Sequence, residues 1–430
     1  MKQLSIDINP EEIRNKLLNY SQQFDTCFFY DSNADVNSAA QLSYRSYDII
    51  LALGVNRKVQ FNEGQHFNDL QDFQNAHKTW LFGYLSYDLK NETEELSSQN
   101  DDVLALPLAQ FVEPQLVITI IGHSMQINVI AENTQAQSIA NDILSENALI
   151  NETLTACEIA HKTSQNDYVE SFEQFQQQIA YGNIYEVNYC ISFETEIHHH
   201  NQIGLYSALN NISKAPFSAF VKVGNTIIIS ASPERFLKKE GNKLISQPIK
   251  GTAKRGQNAA EDEQQKENLL NNAKERSENV MITDLVRNDL SKHASRNSVK
   301  VEELFGIYSF KQVHQMISTV AANLNEESNY INAIKDAFPM GSMTGAPKIM
   351  AMKLIEQHEQ MKRCLYSGAL GYIDPENNFD FNVLIRSIII NTETNKAQFC
   401  VGSAITHKAN AEDEYQECLL KASALFKVLA

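Results

Sequence analysis

No Cys-x-x-Cys pair occurs among the six cysteines (Cys27, Cys157, Cys190, Cys364, Cys400, Cys418), which argues against a zinc ribbon or a disulfide framework and fits reduced thiols in a cytoplasmic protein. No stretch approaches the ~18 consecutive apolar residues needed to span a bilayer, and Met-Lys-Gln-Leu-Ser-Ile-Asp at the start holds no apolar core of signal-peptide length. A membrane protein is therefore not expected. No basic block interrupts a net charge of -17, so the clustered positive field that phosphate recognition needs is missing and nucleic acid is not an expected partner. Glycine (16) and proline (9) are too sparse for a low-complexity or collagen-like chain.

What remains is an ordinary globular composition, 43% hydrophobic and 21% charged over 430 residues, long enough for a large core in one elaborated α/β domain or two to three smaller ones. The first ~155 residues alternate short apolar strands with polar turns, as in Thr26 to Tyr30 and Leu116 to Gly122. A polar stretch from Asn133 to Asp167 reads as a connecting helix and a linker. Tyr168, Phe172, Phe175 and Ile179, at spacings of four, three and four, predict an amphipathic helix that Gly182 stops, ahead of a strand near Ile184 to Phe193. Gly224-Asn225 separates two apolar runs as a hairpin turn, and Gly241-Asn242 precedes a third. Acid-rich helical sequence runs from Glu261 to Lys292, and a final helix from about Ala411 to the end. The expected class is mixed α/β with much antiparallel strand.

Several segments carry unusual chemistry. Lys250 stands between a proline and a glycine in Pro248-Ile249-Lys250-Gly251-Thr252, where a fixed entry angle and a flexible backbone can aim an amine into a pocket; the bland alternative is a solvated turn lysine. Glu275 and Glu278 leave one face of a helix, and Glu414 and Glu417 repeat the spacing in the last helix, with Lys421 one turn on. Two such pairs can hold a hard cation such as magnesium, although exposed glutamates at this spacing are common on surface helices. Glu234, in Ser232-Pro233-Glu234-Arg235-Phe236 after a run of isoleucines, becomes a protonated acid if buried, or else a strand-end ion pair with Arg235. Gly341-Ser342-Met343-Thr344-Gly345-Ala346-Pro347-Lys348 precedes a helix and can hold a carboxylate on its N–H groups, or simply cap that helix. Arg386, between Val383-Leu384-Ile385 and Ile388-Ile389-Ile390, is costly to bury without an anionic partner.

Taken in order, these segments resemble the chorismate-binding enzymes, and within them the subfamily that makes aminodeoxychorismate. The resemblance runs along the whole chain: Phe82-Gly83-Tyr84-Leu85-Ser86-Tyr87-Asp88-Leu89, Gly182-Asn183-Ile184-Tyr185-Glu186-Val187-Asn188, the Glu234 and Lys250 runs, Glu278 to Leu290, the Gly341 loop, Tyr366-Ser367-Gly368-Ala369 and the last Glu-x-x-Glu. Lysine at 250 separates this subfamily from anthranilate synthases, which typically carry alanine there, and Glu186 stands where isochorismate and salicylate synthases usually place a base lysine. The resemblance implies a large α/β sandwich of two mainly antiparallel sheets clad by helices. A catalytic domain over 160–430 is expected to be joined by an N-terminal region, 1–155, packed into the same body.

The same resemblance implies a division of labour. Magnesium, with Glu275, Glu278, Glu414 and Glu417 as direct or water-mediated ligands, would bind the ring carboxylate of chorismate. Arg386, Tyr366, Ser342, Thr344, Gly251, Thr252, Gly402, Ser403 and Lys421 would hold the rest. Glu234 would protonate the departing C4 hydroxyl while Lys250 adds at C2 and ammonia then enters at C4, or ammonia would attack C4 directly with Lys250 only an electrostatic aid, either way giving 4-amino-4-deoxychorismate for 4-aminobenzoate and folate. A lysine that adds must be neutral, and a reference pKa near ~10.4 leaves about one molecule in a thousand so at neutral pH; burial or the nearby magnesium is expected to lower it. No Gly-x-Cys-x-Gly elbow is present and nothing follows Ala430 for a fused lyase, so a separate glutamine amidotransferase subunit is expected to supply ammonia.

Rival readings are an anthranilate synthase component I and a non-catalytic chorismate-binding subunit. Three departures stand out. Gly402-Ser403-Ala404-Ile405 replaces the usual Gly-Ala-Gly-Ile, Gln315 falls where histidine is common with His314 one residue early, and Tyr30-Asp31-Ser32 weakly resembles an element that binds tryptophan in some relatives. His198-His199-His200 reads as a polar strand end and not as a metal site.

Overall fold

The computed structural model describes residues 2–34, 44–131, 135–197 and 201–429, so the three consecutive histidines lie outside the described residues. Among those described, two large sheets dominate, of 12 and 10 strands, with every strand-to-strand ladder antiparallel. The expected sandwich of antiparallel sheets and helices is what the chain forms.

Alternation explains the layering. In the strand Ile49–Leu53 every residue is buried. Ile49, Leu51 and Leu53 face a cluster built with the helices Pro10–Ser21, Gln165–Ala180, Gln202–Ser213 and Ala411–Leu429. Ile50 and Ala52 face the other way, toward Phe82, Tyr84, Val112 and Leu370 of the second sheet. A strand apolar on both faces is what the inner layer of a helix–sheet–sheet–helix stack requires. The second sheet's outer face packs on Phe67, Ile282, Val286 and Ile334, which belong to the helices His66–His77, Ala273–Ser291 and Tyr330–Ala337.

Early and late strands share both sheets. Cys27–Asp31 pairs with Phe217–Val223, and Leu81–Leu85 pairs with Ala369–Ile373. The predicted helix forms over Gln165–Ala180, where Ser164 and Asp167 close a reciprocal capping box at its start and Gly182, at φ +79, follows its end. The acid-rich stretch forms two helices, Ala259–Asn271 and Ala273–Ser291, because Asn272 leaves helical geometry and caps the second through the N–H groups of Lys274 and Glu275.

One buried ion pair ties together the segments that frame the cavity described below. Arg363, 3% exposed, grips Glu359 with two N–H donors at 2.9 and 2.6 Å, and donates to the carbonyls of Met343 (2.6 Å) and Asn188 (2.7 Å). Glu359 in turn accepts from the Cys190 N–H at 3.0 Å. Removing one partner of such a pair strands a buried charge, so Arg363→Met is expected to cost roughly 3–5 kcal/mol of stability, read by chemical denaturation. A loss below about 1 kcal/mol would show that the network is not the brace the geometry makes it.

Candidate active site

Two of the site's side chains come from corners where the chain leaves one sheet for the other. Glu234 lies between Thr226–Ser232 of the larger sheet and Arg235–Glu240 of the smaller; Arg386 lies between Phe379–Val383 and Ser387–Asn391, making the reverse crossing with φ +52. Both side chains line one cavity of about 120 Å³ together with Lys250, Gly251, Thr252, Glu275, Glu278, Ser342, Tyr366, Gly402, Glu414, Glu417 and Lys421.

Lys250 is aimed by a bulge. In the strand Ile249–Lys254, Ile249 pairs with Ile317 and Thr252 with Gln315, so Lys250 and Gly251 together oppose a single residue of the neighbouring strand. Gly251 carries φ +96, a conformation that favours glycine, and a Cβ there would stand 3.1 Å from Glu275 Oε2. The amine sits inside the protein, its side chain 10% exposed, and donates to Glu186 of the strand Glu186–Glu196. The solvated turn lysine is excluded.

Its expected neutrality is not borne out. Burial pulls the Lys250 amine down, but the carboxylates of Glu186, Glu278 and Glu234 together hold it well above the usual lysine range. These acids favour the ammonium form, and the sequence reading counted burial without them.

Glu234 is 4% exposed, and burial pushes its carboxyl up to about 7, against the Ser342 hydroxyl that donates to Oε1 at 2.6 Å and the charge of Lys250. It makes no pair with Arg235, whose guanidinium holds Asp380 through two bonds of 2.9 and 3.0 Å. A carboxylic acid that carries a proton into the neutral range is suited to donate one to a leaving oxygen. Burial likewise lowers the charge preference of Arg386, opposed by Glu234 and Tyr366.

The two glutamate pairs meet across the cavity from the first two turns of Ala273–Ser291 and Ala411–Leu429. Burial raises Glu275, Glu414 and Glu278, the last to about 7, whereas Lys421 at 2.7 Å holds Glu417 below the usual carboxylate range. Lys274 reaches between the pairs, 3.0 Å from Glu414 and 3.9 Å from Glu278. Among the described residues no three acidic, histidine or cysteine side chains stand close enough to cage a metal unaided. An all-oxygen donor set of crowded, partly buried carboxylates fits a hard cation that keeps water or substrate oxygens in its shell.

Three expectations need correction. Ser403 is fully buried with its hydroxyl 2.8 Å from Tyr168 Oη, because it points to the opposite face of its strand from Gly402 and Ala404. Thr344, also fully buried, turns its hydroxyl onto the carbonyls of Met340 and Gly341. The Gly341 loop offers an anion fewer donors than expected. The N–H groups of Met343 and Thr344 are spent within its turn, and Lys348 pairs with Asp289 at 2.6 Å. Only its Ser342 hydroxyl and Met343 reach the cavity.

Other participants escaped the sequence reading. Asn188, Lys274 and Cys400 line the cavity, and so does Gln315, 3% exposed, whose Oε1 lacks a hydrogen-bond partner among the described residues. His314 does not substitute for a histidine there, since it faces away and binds Asp262 and Ser309, each at 2.9 Å. Gln315 stands opposite Thr252 in the ladder, and both line the cavity. A second, smaller cavity of about 70 Å³ lies at Tyr30, Asp31 and Ser32, walled also by Phe217 and Tyr372.

Comparison with known proteins follows the same lines. The family model described as chorismate binding enzyme matches residues 25–427. An anthranilate synthase component I-like protein of Synechocystis is 33% identical over 82% of this chain and 73% of its own length. Aminodeoxychorismate synthase component 1 of Escherichia coli is 38% identical over 62% of this chain, and the match spans 58% of that protein. The crystal structure of anthranilate synthase component I from Streptococcus pneumoniae superposes with a TM-score of 0.76 at 23% identity, covering 88% of this chain and 91% of that one, which is a likeness of fold. Among the described residues no helix is long and apolar enough to cross a membrane.

Proposed function

The chain belongs to the chorismate-binding enzymes, and from that premise we propose that it aminates chorismate at C4, giving 4-amino-4-deoxychorismate for 4-aminobenzoate and folate synthesis. The observation that carries this reading is the meeting of Lys250, Glu234 and both glutamate pairs on one cavity.

In this reading Arg386 binds a substrate carboxylate, with Tyr366, Ser342, Thr252, Lys421 and the backbone at Gly251 and Gly402 completing the grip. Lys421 holds the Gly402 carbonyl at 2.8 Å and so fixes that stretch of strand. Glu275, Glu278, Glu414 and Glu417 would hold magnesium, which when bound offsets the charge of the ring carboxylate. Glu234 delivers a proton to the C4 oxygen, since hydroxide is a poor leaving group, and Lys250 adds at C2 as that oxygen departs. Ammonia then enters at C4 and releases the lysine. A separate glutamine amidotransferase supplies the ammonia, and the enzyme works in the cytoplasm, its N-terminal 1–155 packed against the catalytic 160–430.

The likeness to an anthranilate synthase component I-like protein keeps one rival reading in view. Incubation with chorismate, magnesium and ammonium decides between them. The proposal expects a product that retains the enolpyruvyl group, with no pyruvate released and no anthranilate fluorescence, and turnover that EDTA stops and added magnesium restores. Fluorescent product with stoichiometric pyruvate would assign the chain to the rival.

A further inference from the structure

Glu186 has no role in the reaction as written above, yet its place is unusual. It is fully buried near the start of the strand Glu186–Glu196, flanked in register by Ala346 on one side and Thr406 on the other. One carboxylate oxygen receives the Lys250 amine; the other, Oε2, is buried with no hydrogen-bond partner among the described residues. A buried carboxylate kept only to balance a charge is normally satisfied at both oxygens, because a bare polar atom in a dry site costs free energy. The bare oxygen is an open place for a proton.

The lysine that Glu186 holds has a matching problem. As an ammonium, the form its hydrogen-bonded partner Glu186 favours, it has no lone pair with which to attack. The charged and titratable groups that act on it are Glu186 from its strand, Glu278 and Glu275 from Ala273–Ser291, Glu234 from the sheet corner, and Glu417 and Lys421 from Ala411–Leu429. Glu234 is engaged by Ser342, Glu417 by Lys421, and the helix glutamates belong to the proposed cation site. Among the described residues Glu186 alone is hydrogen-bonded to the amine.

We propose that Glu186 is the proton acceptor and positioning carboxylate of Lys250, taking the ammonium proton as the amine adds to substrate and returning it as the amine leaves. This deepens the proposed amination and rests on it. The step balances internally. Proton transfer to Glu186 frees the lysine lone pair, which forms the C2–N bond as the ring double bonds shift and the C4–O bond breaks. The leaving oxygen takes the Glu234 proton and departs as water. Ammonia next forms the C4–N bond, the C2–N bond breaks with its electrons returning to lysine, and Glu186 hands its proton back. The new C4 ammonium reprotonates Glu234, so chorismate and ammonia give aminodeoxychorismate and water with no external acid or base.

Glu186→Gln preserves shape and removes the acceptor. With chorismate, magnesium and ammonium, the ratio of variant to wild-type kcat is read from pH 7 to 9, which cancels the titration of ammonia itself. The expected ratio is about one in a hundred at pH 7, closing by about tenfold per pH unit as solvent takes over the lysine proton, with the KM for chorismate within roughly threefold. Glu186→Asp, which keeps a carboxylate, is expected to give a ratio that does not vary with pH. A Glu186→Gln ratio that is constant across pH, or a variant faster than wild type near neutrality, overturns the proposal, the first by reducing Glu186 to a structural residue and the second by making it a restraint. Should Glu186→Gln fail to fold, a Glu186→Asp ratio that climbs with pH overturns it equally. Product identity in the wild type is measured in the same assay, so failure of the amination reading shows separately.

Discussion

Lys250→Ala is expected to lower ammonia-dependent turnover by at least about three orders of magnitude while leaving the KM for chorismate within a few-fold, because the lysine acts on the reacting ring rather than on the parts that bind uniformly. The size separates two mechanisms. If ammonia attacked C4 directly, the lysine would contribute only its charge, and removing one charge-assisted contact costs about 10- to 100-fold. Deleting the amine also strands Glu186 in a fully buried position, so Lys250→Ala is expected to be less stable than the wild type. Denaturation measured beside the kinetics distinguishes a folded, inactive enzyme from an unfolded one. A folded variant with turnover within about tenfold of wild type contradicts nucleophilic catalysis.

Glu234→Gln is expected to cost about 10²- to 10⁴-fold in kcat, the usual contribution of a placed general acid. The amide can still accept from Ser342, which limits structural disturbance. The pH dependence carries the sharper sign. With its carboxyl raised to about 7 by burial, Glu234 is protonated and competent below that value and loses its proton above it. Wild-type kcat/KM therefore falls as pH rises through about 7, once the free ammonia concentration is held fixed. Glu234→Gln has no such group, so its residual rate is expected to lack that limb. Persistence of the limb in the variant would place the titration elsewhere.

Much of this site was legible because its residues fall in short ordered motifs whose spacing survives folding: Lys250 beside its glycine, and the glutamate pairs three apart on helices. What was lost depended on contacts between distant segments. Glu186 and Lys250 lie 64 residues apart and meet only because strands from different sheets face one cavity, so the protonation state of the lysine could not be read from its own neighbourhood. Ser403 was misplaced for a local reason, since a motif read as a block ignores that alternate strand residues face opposite ways. Thr344 was misplaced because a turn can consume its own polar groups. The Arg363 brace left no motif at all. The sheets themselves were visible through glycine turns and alternation, whereas the early helices Pro10–Ser21 and His66–His77 were not, their apolar faces being short and diluted by asparagine, glutamine and aspartate.

The most direct measurement is the intact mass of the enzyme after mixing with chorismate and magnesium in the absence of ammonia, followed by acid quench and peptide mapping. The predicted result is chorismate less one water, attached to the peptide that contains Lys250, absent from Lys250→Ala and discharged when ammonium is added before the quench. Unmodified Lys250 under these conditions, in enzyme that turns over freely once ammonium is supplied, would contradict the account.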